Sequence, residues 1–111
     1  MNIKVGIYKF LGPFKLATWD PPQQPGIYAI YVYRPTFPSC EPYEGPIYIG
    51  ETDDFSKRGF PKSHDKIDYW DQIAGKDDLF IAYFPCNSKS KRILIEKSLI
   101  NKIKPVCNEK I

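Results

Sequence analysis

Residues 26–33 read Gly-Ile-Tyr-Ala-Ile-Tyr-Val-Tyr, and this run of β-branched and aromatic residues is the strongest strand signal in the chain. A proline-rich lead-in, residues 21–25, precedes it directly. A second strand is predicted at residues 46–50, after a loop from Arg34 to Gly45 that carries several prolines. Two successive strands joined in this way favour an antiparallel pair, so we expect residues 26–33 to lie centrally in a sheet.

The chain beyond this pair alternates helical and extended patterns. Residues 54–58 form a plausible short helical segment with Asp54 as its N-cap, and residues 66–74 a second helix that ends at a glycine. Residues 79–84 are predicted to be a buried strand that ends before a proline. The best helix runs over residues 88–104, with serines available as N-cap and a proline as its stop.

The chain before residue 26 predicts one short edge strand at residues 3–8, followed by a turn at residues 11–14, Leu-Gly-Pro-Phe. With 111 residues there is room for a single core, so we predict one domain with an N-terminal extension, 1–25, and a main body, 26–108. The predicted fold class is α+β, an α/β sandwich. It has a small, mainly antiparallel three-stranded sheet flanked by helices and one extra N-terminal strand.

Composition narrows the function classes only in part. The net charge of +3 is compatible with a polyanionic partner but is common among proteins that bind none. Three widely spaced cysteines, Cys40, Cys86 and Cys107, form no zinc-binding pattern and are expected to be free thiols. The sequence carries no secretory signal pattern and no long apolar run, so it predicts a soluble, cytoplasmic protein with no membrane partner.

One carboxylate of the predicted C-terminal helix lies where apolar residues are expected. The apolar residues of this helix are Ile93, Leu94, Ile95, Leu99, Ile100 and Ile103. At 100° per residue their summed direction falls about 10–15° from Glu96. An ionised carboxylate in a buried stripe requires a cation, a hydrogen-bonding network, a cleft or a metal. The ordinary explanation is a buried salt bridge or a helix end that protrudes past the core, and the functional one is a metal ligand.

Residues 26–28, Gly-Ile-Tyr, and 48–50, Tyr-Ile-Gly, resemble the two halves of the signature that names the GIY-YIG nuclease family. From residue 48 the run Tyr-Ile-Gly-Glu-Thr-Asp-Asp-Phe-Ser-Lys-Arg is similar, without a gap, to the family pattern that ends at a catalytic arginine, here Arg58. Glu96, followed by a proline and then Asn108, resembles the family's C-terminal ending. The resemblance covers roughly residues 25–108.

This sequence departs from the family pattern in two places. The connection between the signature strands, Arg34 to Gly45, is longer than in compact members, as it is in some restriction-enzyme relatives. Family members usually carry His or Tyr four residues after the arginine, where this chain has Lys62. His64 is the only histidine, and it could reach the same position because Gly59 and Pro61 break regular helix geometry.

The resemblance implies a metal-dependent endonuclease that hydrolyses DNA phosphodiester bonds with one divalent cation, Mg²⁺ or Mn²⁺, held by Glu96. Arg58 suits the phosphate oxygens through its forked donors. Tyr28 or Tyr48 would orient the attacking water, and the family implies that the tyrosine of the first motif helps to deprotonate it. A free phenol is a poor base at neutral pH, so that role requires the metal or the arginine to lower its pKa. Asn108 is expected to brace the site.

The substrate expected from this resemblance is DNA, duplex or branched. Lys57, Lys62 and Lys66 surround the predicted site and are candidates for phosphate contacts, although such lysines are often only a solvated surface. No separate reading domain is recognisable, so specificity would come from loops, a homodimer or a protein partner. Two alternatives stay open: a non-catalytic nucleic-acid-binding module with a degenerate site, and a structural protein in which Glu96 pairs with an internal arginine.

Overall fold

The central run 26–33 forms the longest stretch of buried strand among the residues that the structure describes. The computed structural model describes residues 2–34, 45–57, 60–61 and 63–108. The strands are β1 (Asn2–Val5), β2 (Tyr8–Lys15), β3 (Gly26–Tyr33), β4 (Tyr48–Thr52) and β5 (Asp78–Pro85), and the helices are α1 (Ile67–Ala74) and α2 (Lys89–Ile103). Short 3₁₀ segments follow β2 at Leu16–Thr18 and α2 at Val106–Asn108.

The five strands form one sheet in the order β1-β2-β5-β3-β4, and every neighbouring pair is antiparallel. The fold is therefore α+β, with the two helices packed against a five-stranded antiparallel sheet. Pairing places Leu11, Tyr83, Tyr28 and Gly50 in one row across β2, β5, β3 and β4. Because alternate residues of a strand point to opposite faces, the members of this row share one face of the sheet.

The two faces of the sheet have separate cores. Leu99 of α2 packs on the α2 face, together with Val5, Ile27 and Ile49. Trp70 of α1 packs on the opposite face, the α1 face. The buried residues there are Leu16, Tyr28, Ile30, Phe55, Trp70, Ile81 and Cys107. Tyr28 and Ile27, adjacent in β3, therefore belong to different cores.

The sheet differs from the expected three strands plus an N-terminal one, because the N-terminal extension forms a complete hairpin. The chain turns at residues 6–7, between Val5 and its partner Tyr8, rather than at residues 11–14. Gly6 has a φ of +62°, which suits the first central position of a tight hairpin turn. Gly12 and Pro13 lie inside β2, where the register shifts between Leu11 and Phe14. A proline has no N–H to donate to the neighbouring strand, so a bulge of this kind is where a strand accommodates it.

The predicted helix 66–74 and the predicted strand 79–84 are confirmed as α1 and β5. Helix α2 is also confirmed, and the Ser88 hydroxyl accepts a hydrogen bond from the Lys91 N–H as its N-cap. The prediction of a short helix at residues 54–58 is wrong for the part that the structure describes, residues 54–57, which form a turn. The Asp54 carboxylate accepts hydrogen bonds from the Ser56 N–H and hydroxyl and so stabilises a local loop.

The predicted apolar stripe of α2 is only partly buried. Arg92 and Leu99 are the buried residues of this helix, whereas Ile93 is exposed and Leu94 is 68% exposed. The six apolar residues are therefore not buried together as one stripe, and Glu96 lies half-buried among them. No helix in the described ranges is long and apolar enough to cross a membrane.

Candidate active site

The β4 edge of the sheet is closed by the segment that follows α2. The Ile49 N–H donates to Asn108 Oδ1, and Asn108 Nδ2 donates to the Ile49 carbonyl, both at 2.8 Å. The Cys107 N–H also donates to the Ile47 carbonyl at 2.8 Å. Asn108 therefore holds the outer edge of β4 as a neighbouring strand would. The sequence predicted that Asn108 braces the site; the contact seen here is with the β4 backbone, and it occupies both ends of the side-chain amide.

Gly50 lets Tyr28 reach across β4 towards this edge. A Cβ atom at Gly50 would lie 2.5 Å from the Tyr28 hydroxyl and 2.6 Å from Cζ, so no larger residue fits without displacing the ring. Tyr28 is only 3% exposed, and its ring centroid lies 6.1 Å from that of Tyr48. The second signature tripeptide thus makes room for the tyrosine of the first.

Glu96 approaches the same two tyrosines from α2. The charge of its carboxylate contributes to raising the pKa of both Tyr28 and Tyr48, although burial is the larger cause for each. Burial also raises the pKa of Glu96, the nearby Glu51 carboxylate raises it further, and hydrogen bonding from the Glu51 backbone N–H opposes this. Residues 28, 48 and 96, far apart in the sequence, are therefore close enough near the β4 edge for the Glu96 charge to act on both phenols.

The two phenols are neutral in this environment. Burial is the largest cause of their raised pKa, and hydrogen bonding between the two hydroxyls raises the pKa of Tyr28 while lowering that of Tyr48. The surroundings act against the phenolate that the family-derived base role requires.

A buried ion pair that the sequence analysis missed lies beside Glu96. Arg92 is only 4% exposed, and its Nε donates to Glu51 Oε1 at 3.0 Å. Its Nη1 donates to the carbonyls of Cys86 and Asn87, each at 3.2 Å. Arg92 precedes Glu96 by one helical turn, which was the only available signal, since residues four apart lie on the same side of a helix.

This ion pair bears on the structural explanation of Glu96. The buried arginine of α2 pairs with Glu51 and not with Glu96. Within the described parts of the chain, no salt bridge to Glu96 is formed. The bridge that would account for Glu96 without a ligand is therefore absent from these residues.

His64 lies against the tyrosines rather than in solvent. Its ring centroid is 5.1 Å from that of Tyr48 and 4.6 Å from that of Trp70, and its side chain is 13% exposed. The Lys66 N–H donates to His64 Nδ1 at 3.0 Å, and burial lowers the pKa of His64. The imidazole is therefore neutral with its proton on Nε2. Its contact with Asp65 at 3.0 Å is an ion pair only after a second proton is added.

Of the other predicted site residues, the structure describes Lys57 and Lys66. Lys57 is exposed and pairs with Asp53 at 2.8 Å, and Lys66 lies with its Nζ 5.8 Å from the centre of the Tyr69 ring. Arg58 and Lys62 lie outside the described residues.

A hard divalent cation fits the oxygen donors at this edge. Glu96 offers a carboxylate with no paired cation among the described residues, next to the second carboxylate of Glu51 and the hydroxyls of Tyr28 and Tyr48. Positive charge there would offset the burial and the repulsion that raise the pKa of Glu96. In the described part of the chain, no group of three or more His, Cys, Asp or Glu side chains could hold a metal. The fit is thus to a site with one or two protein ligands.

A cavity of about 650 Å³ lies on the α2 face between Tyr8, Phe84 and Leu94. None of the candidate residues lines it. No protein-family model matches the chain, and the searches of curated proteins and of solved structures return no match either.

Proposed function

We propose that this protein is a metal-dependent endonuclease that hydrolyses DNA phosphodiester bonds at the β4 edge, with a single Mg²⁺ or Mn²⁺ bound by Glu96. The observation that carries the proposal is the convergence of Tyr28, Tyr48 and Glu96. They come from two strands and a helix and match three separate parts of the motif order that resembles GIY-YIG nucleases. The proximity of His64 to both tyrosines adds a fourth member.

The chemistry assigned to these residues follows from their charge states. Glu96 is the ligand for the cation, which when bound would stabilise charge on the phosphate and acidify a bound water. Arg58 supplies a fixed positive charge to the phosphate oxygens. Tyr28, held neutral, acts as a hydroxyl that orients the attacking water by hydrogen bonding, not as a phenolate.

His64 and Tyr48 are the candidates for hydrogen bonds to the reacting oxygens. Neutral His64 presents Nε2–H while Nδ1 is held by the Lys66 N–H, so it donates a hydrogen bond at neutral pH. Tyr48 forms a hydrogen bond with Tyr28 through its hydroxyl. We assign to the Tyr48 hydroxyl a hydrogen bond to the attacking water, and to the His64 Nε2–H a hydrogen bond that supports the leaving oxygen.

The test compares wild type with Glu96→Gln, Tyr28→Phe and Arg58→Ala on supercoiled plasmid and on duplex and branched DNA, with and without Mg²⁺ or Mn²⁺. We expect cleavage that depends on metal and falls at least about 100-fold in Glu96→Gln and Arg58→Ala. Asp71→Asn, which neutralises an exposed carboxylate of α1, is the matched control and should cleave as wild type.

A second readout separates metal binding from chemistry. Titration calorimetry with Mn²⁺ should show one binding event in wild type and in Tyr28→Phe, and none in Glu96→Gln. If wild type binds DNA but cuts none of these substrates, the enzyme proposal fails and the non-catalytic nucleic-acid-binding module takes its place. If Glu96→Gln cleaves as wild type, the assignment of Glu96 fails.

A further inference from the structure

An aromatic strip crosses the α1 face from the candidate site to the N-terminal hairpin. Starting at Tyr28, ring centroids lie 5.0 Å apart to Phe60, 6.5 Å from there to Trp19, 5.5 Å to Tyr83 and 6.0 Å to Phe14. We define the strip by these five residues. Its inner end belongs to the candidate site, and its outer end lies on β2.

The outer half of the strip is accessible. Phe14 is 38% exposed, and Trp19, Phe60 and Tyr83 are half-buried. Leu11, which pairs directly with Tyr83, is also exposed. Exposed rings in contact with one another on a sheet form a surface that can stack with planar groups.

Two lysines of the N-terminal hairpin lie on the same face as the strip. Lys4 of β1 and Lys9 of β2 are directly opposite each other, and both are exposed. Their strand neighbours Ile3, Val5, Tyr8 and Phe10 pack on the α2 face, so alternation places both lysines on the α1 face. In the described residues neither lysine forms a salt bridge. Like charges directly opposite on paired strands are unfavourable, and an anion between them would relieve this.

The remaining charges near the strip indicate in which direction a bound polyanion would run. Lys15 pairs with Asp78, and Asp71 and Asp77 lie with them around a depression at the other end of β5. Asp20 is exposed beside Trp19. A polyanion on the strip is therefore directed towards the hairpin lysines and away from the acidic end of β5.

We propose that this strip binds an unpaired nucleic-acid strand, with bases stacked on Phe14 and Trp19 and phosphates at Lys4 and Lys9, and leads it to the β4 edge. The three strand spacings from Leu11 to Gly50 measure about 14 Å in all. That length accommodates about four nucleotides at the rise of a stacked strand. Paired bases have no free faces to stack on the rings, so the surface selects single-stranded substrate, or the single-stranded arm of a branched one.

The inference rests on the proposed function only where it says that the bound strand is the one cut, so binding is measured with EDTA present. The probe is a short fluorescent oligothymidylate, compared by anisotropy with the same oligomer paired to oligodeoxyadenylate. We expect about 10-fold tighter binding of the unpaired strand, and about 10-fold weaker binding of that strand by Phe14→Leu. Phe14→Tyr keeps the ring and should bind as wild type, which separates stacking from any loss of folding.

The lysines are tested by the salt dependence of binding. For Lys4→Ala/Lys9→Ala the slope of log affinity against log salt concentration should become less steep by about 1.4, or about 0.7 for each lost phosphate contact. Lys89→Ala/Lys102→Ala removes the same charge from α2 on the other side of the sheet and should leave the slope unchanged.

Three results would overturn the inference: equal affinity for paired and unpaired strands, wild-type affinity in Phe14→Leu, or an equal change of slope in the two lysine pairs. Failure of the enzyme proposal looks different, because wild type would then show the expected binding pattern and cut nothing in Mg²⁺ or Mn²⁺. Cleavage without the binding pattern would remove only the strip.

Discussion

At the β4 edge of the sheet, side chains replace the missing strand, whereas at the opposite edge β1 has β2 as its one strand neighbour in the described sheet. Asn108 pairs with both backbone groups of Ile49, and the Arg92–Glu51 ion pair is buried behind them. The outer hairpin instead carries exposed lysines and apolar residues. Polar groups that are removed from water must form hydrogen bonds, and at β4 their hydrogen-bonding partners, Asn108 and Arg92, are held in fixed positions. The edge that carries the candidate chemistry is thus also the edge whose polar contacts matter most for stability.

The largest effect is expected from Arg92→Leu. The substitution leaves the Glu51 carboxylate without its cation and leaves the Cys86 and Asn87 carbonyls without a donor. We expect the free energy of unfolding in urea to fall by about 3 kcal/mol, at the lower end of the range because Glu51 is partly exposed.

Two variants control this measurement. Arg34→Leu makes the same change at the exposed pair with Asp77 and should lose only about 0–1 kcal/mol. Glu51→Leu/Arg92→Leu removes both charges and should recover most of the loss. Equal losses in Arg92→Leu and Arg34→Leu would mean that the β4 edge is no more sensitive than the surface.

Asn108→Ala is expected to have the next largest effect. The Ile49 N–H and carbonyl both lose their partner at the β4 edge, so the free energy of unfolding should fall by about 1–3 kcal/mol. The exposed Asn101 of α2 provides the control, since Asn101→Ala should stay within about 0.5 kcal/mol of wild type. Thermal or urea unfolding that ranks the two variants equally would contradict the edge role.

The same contrast separates what the sequence could predict from what it could not. Glu96 was identifiable because a carboxylate among apolar residues is a local pattern, whereas Asn108 was identified only through the resemblance of the C-terminal segment to the family's ending. The pairing of Arg92 with Glu51 joins residues from α2 and β4. The distance between the two side chains and their burial depend on how the helix lies on the sheet. No spacing in the sequence determines that arrangement.

The N-terminal hairpin shows a different reason for a wrong prediction. Gly-Pro at residues 12–13 is a strong turn signal, and it outweighed the single glycine at residue 6. The structure turns at Gly6, because pairing of β2 with β5 continues past the proline and holds Phe14 opposite Ile81. Tertiary pairing here overrode a local preference, and the hairpin's lysines and rings became visible only in the folded sheet.

Gly6→Ala tests the β1 edge and is expected to have a smaller effect than the changes at β4. The φ of +62° is unfavourable for alanine by about 1–2 kcal/mol, and the new Cβ would lie 2.7 Å from Leu99 Cδ2, the end of a flexible side chain. Ile7→Ala, at the exposed neighbouring turn position, should change stability by less than about 0.5 kcal/mol. A loss in Gly6→Ala exceeding that of Arg92→Leu would reverse the ranking of the two edges.

The smallest effect is expected from the pH dependence contributed by His64, next to the β4 edge. Burial lowers its pKa in the folded protein, so between that value and the unfolded pKa of about 6.5 the unfolded chain binds more protons. Its contribution to stability is therefore fully present above about pH 6.5 and is lost as the pH falls towards the folded pKa.

Glu96 acts in the opposite sense at lower pH. Its pKa is raised in the folded protein, so folding gains stability as the pH falls through that value towards the unfolded one. The difference between wild type and His64→Asn isolates the histidine, because Asn Oδ1 can still accept from the Lys66 N–H but does not titrate. Urea unfolding at a series of pH values should show wild type losing stability relative to His64→Asn below pH 6.5. A constant difference would mean that His64 is equally protonated in both states and therefore in contact with water, and the proton assigned to Nε2 beside Tyr48 would lose its physical basis.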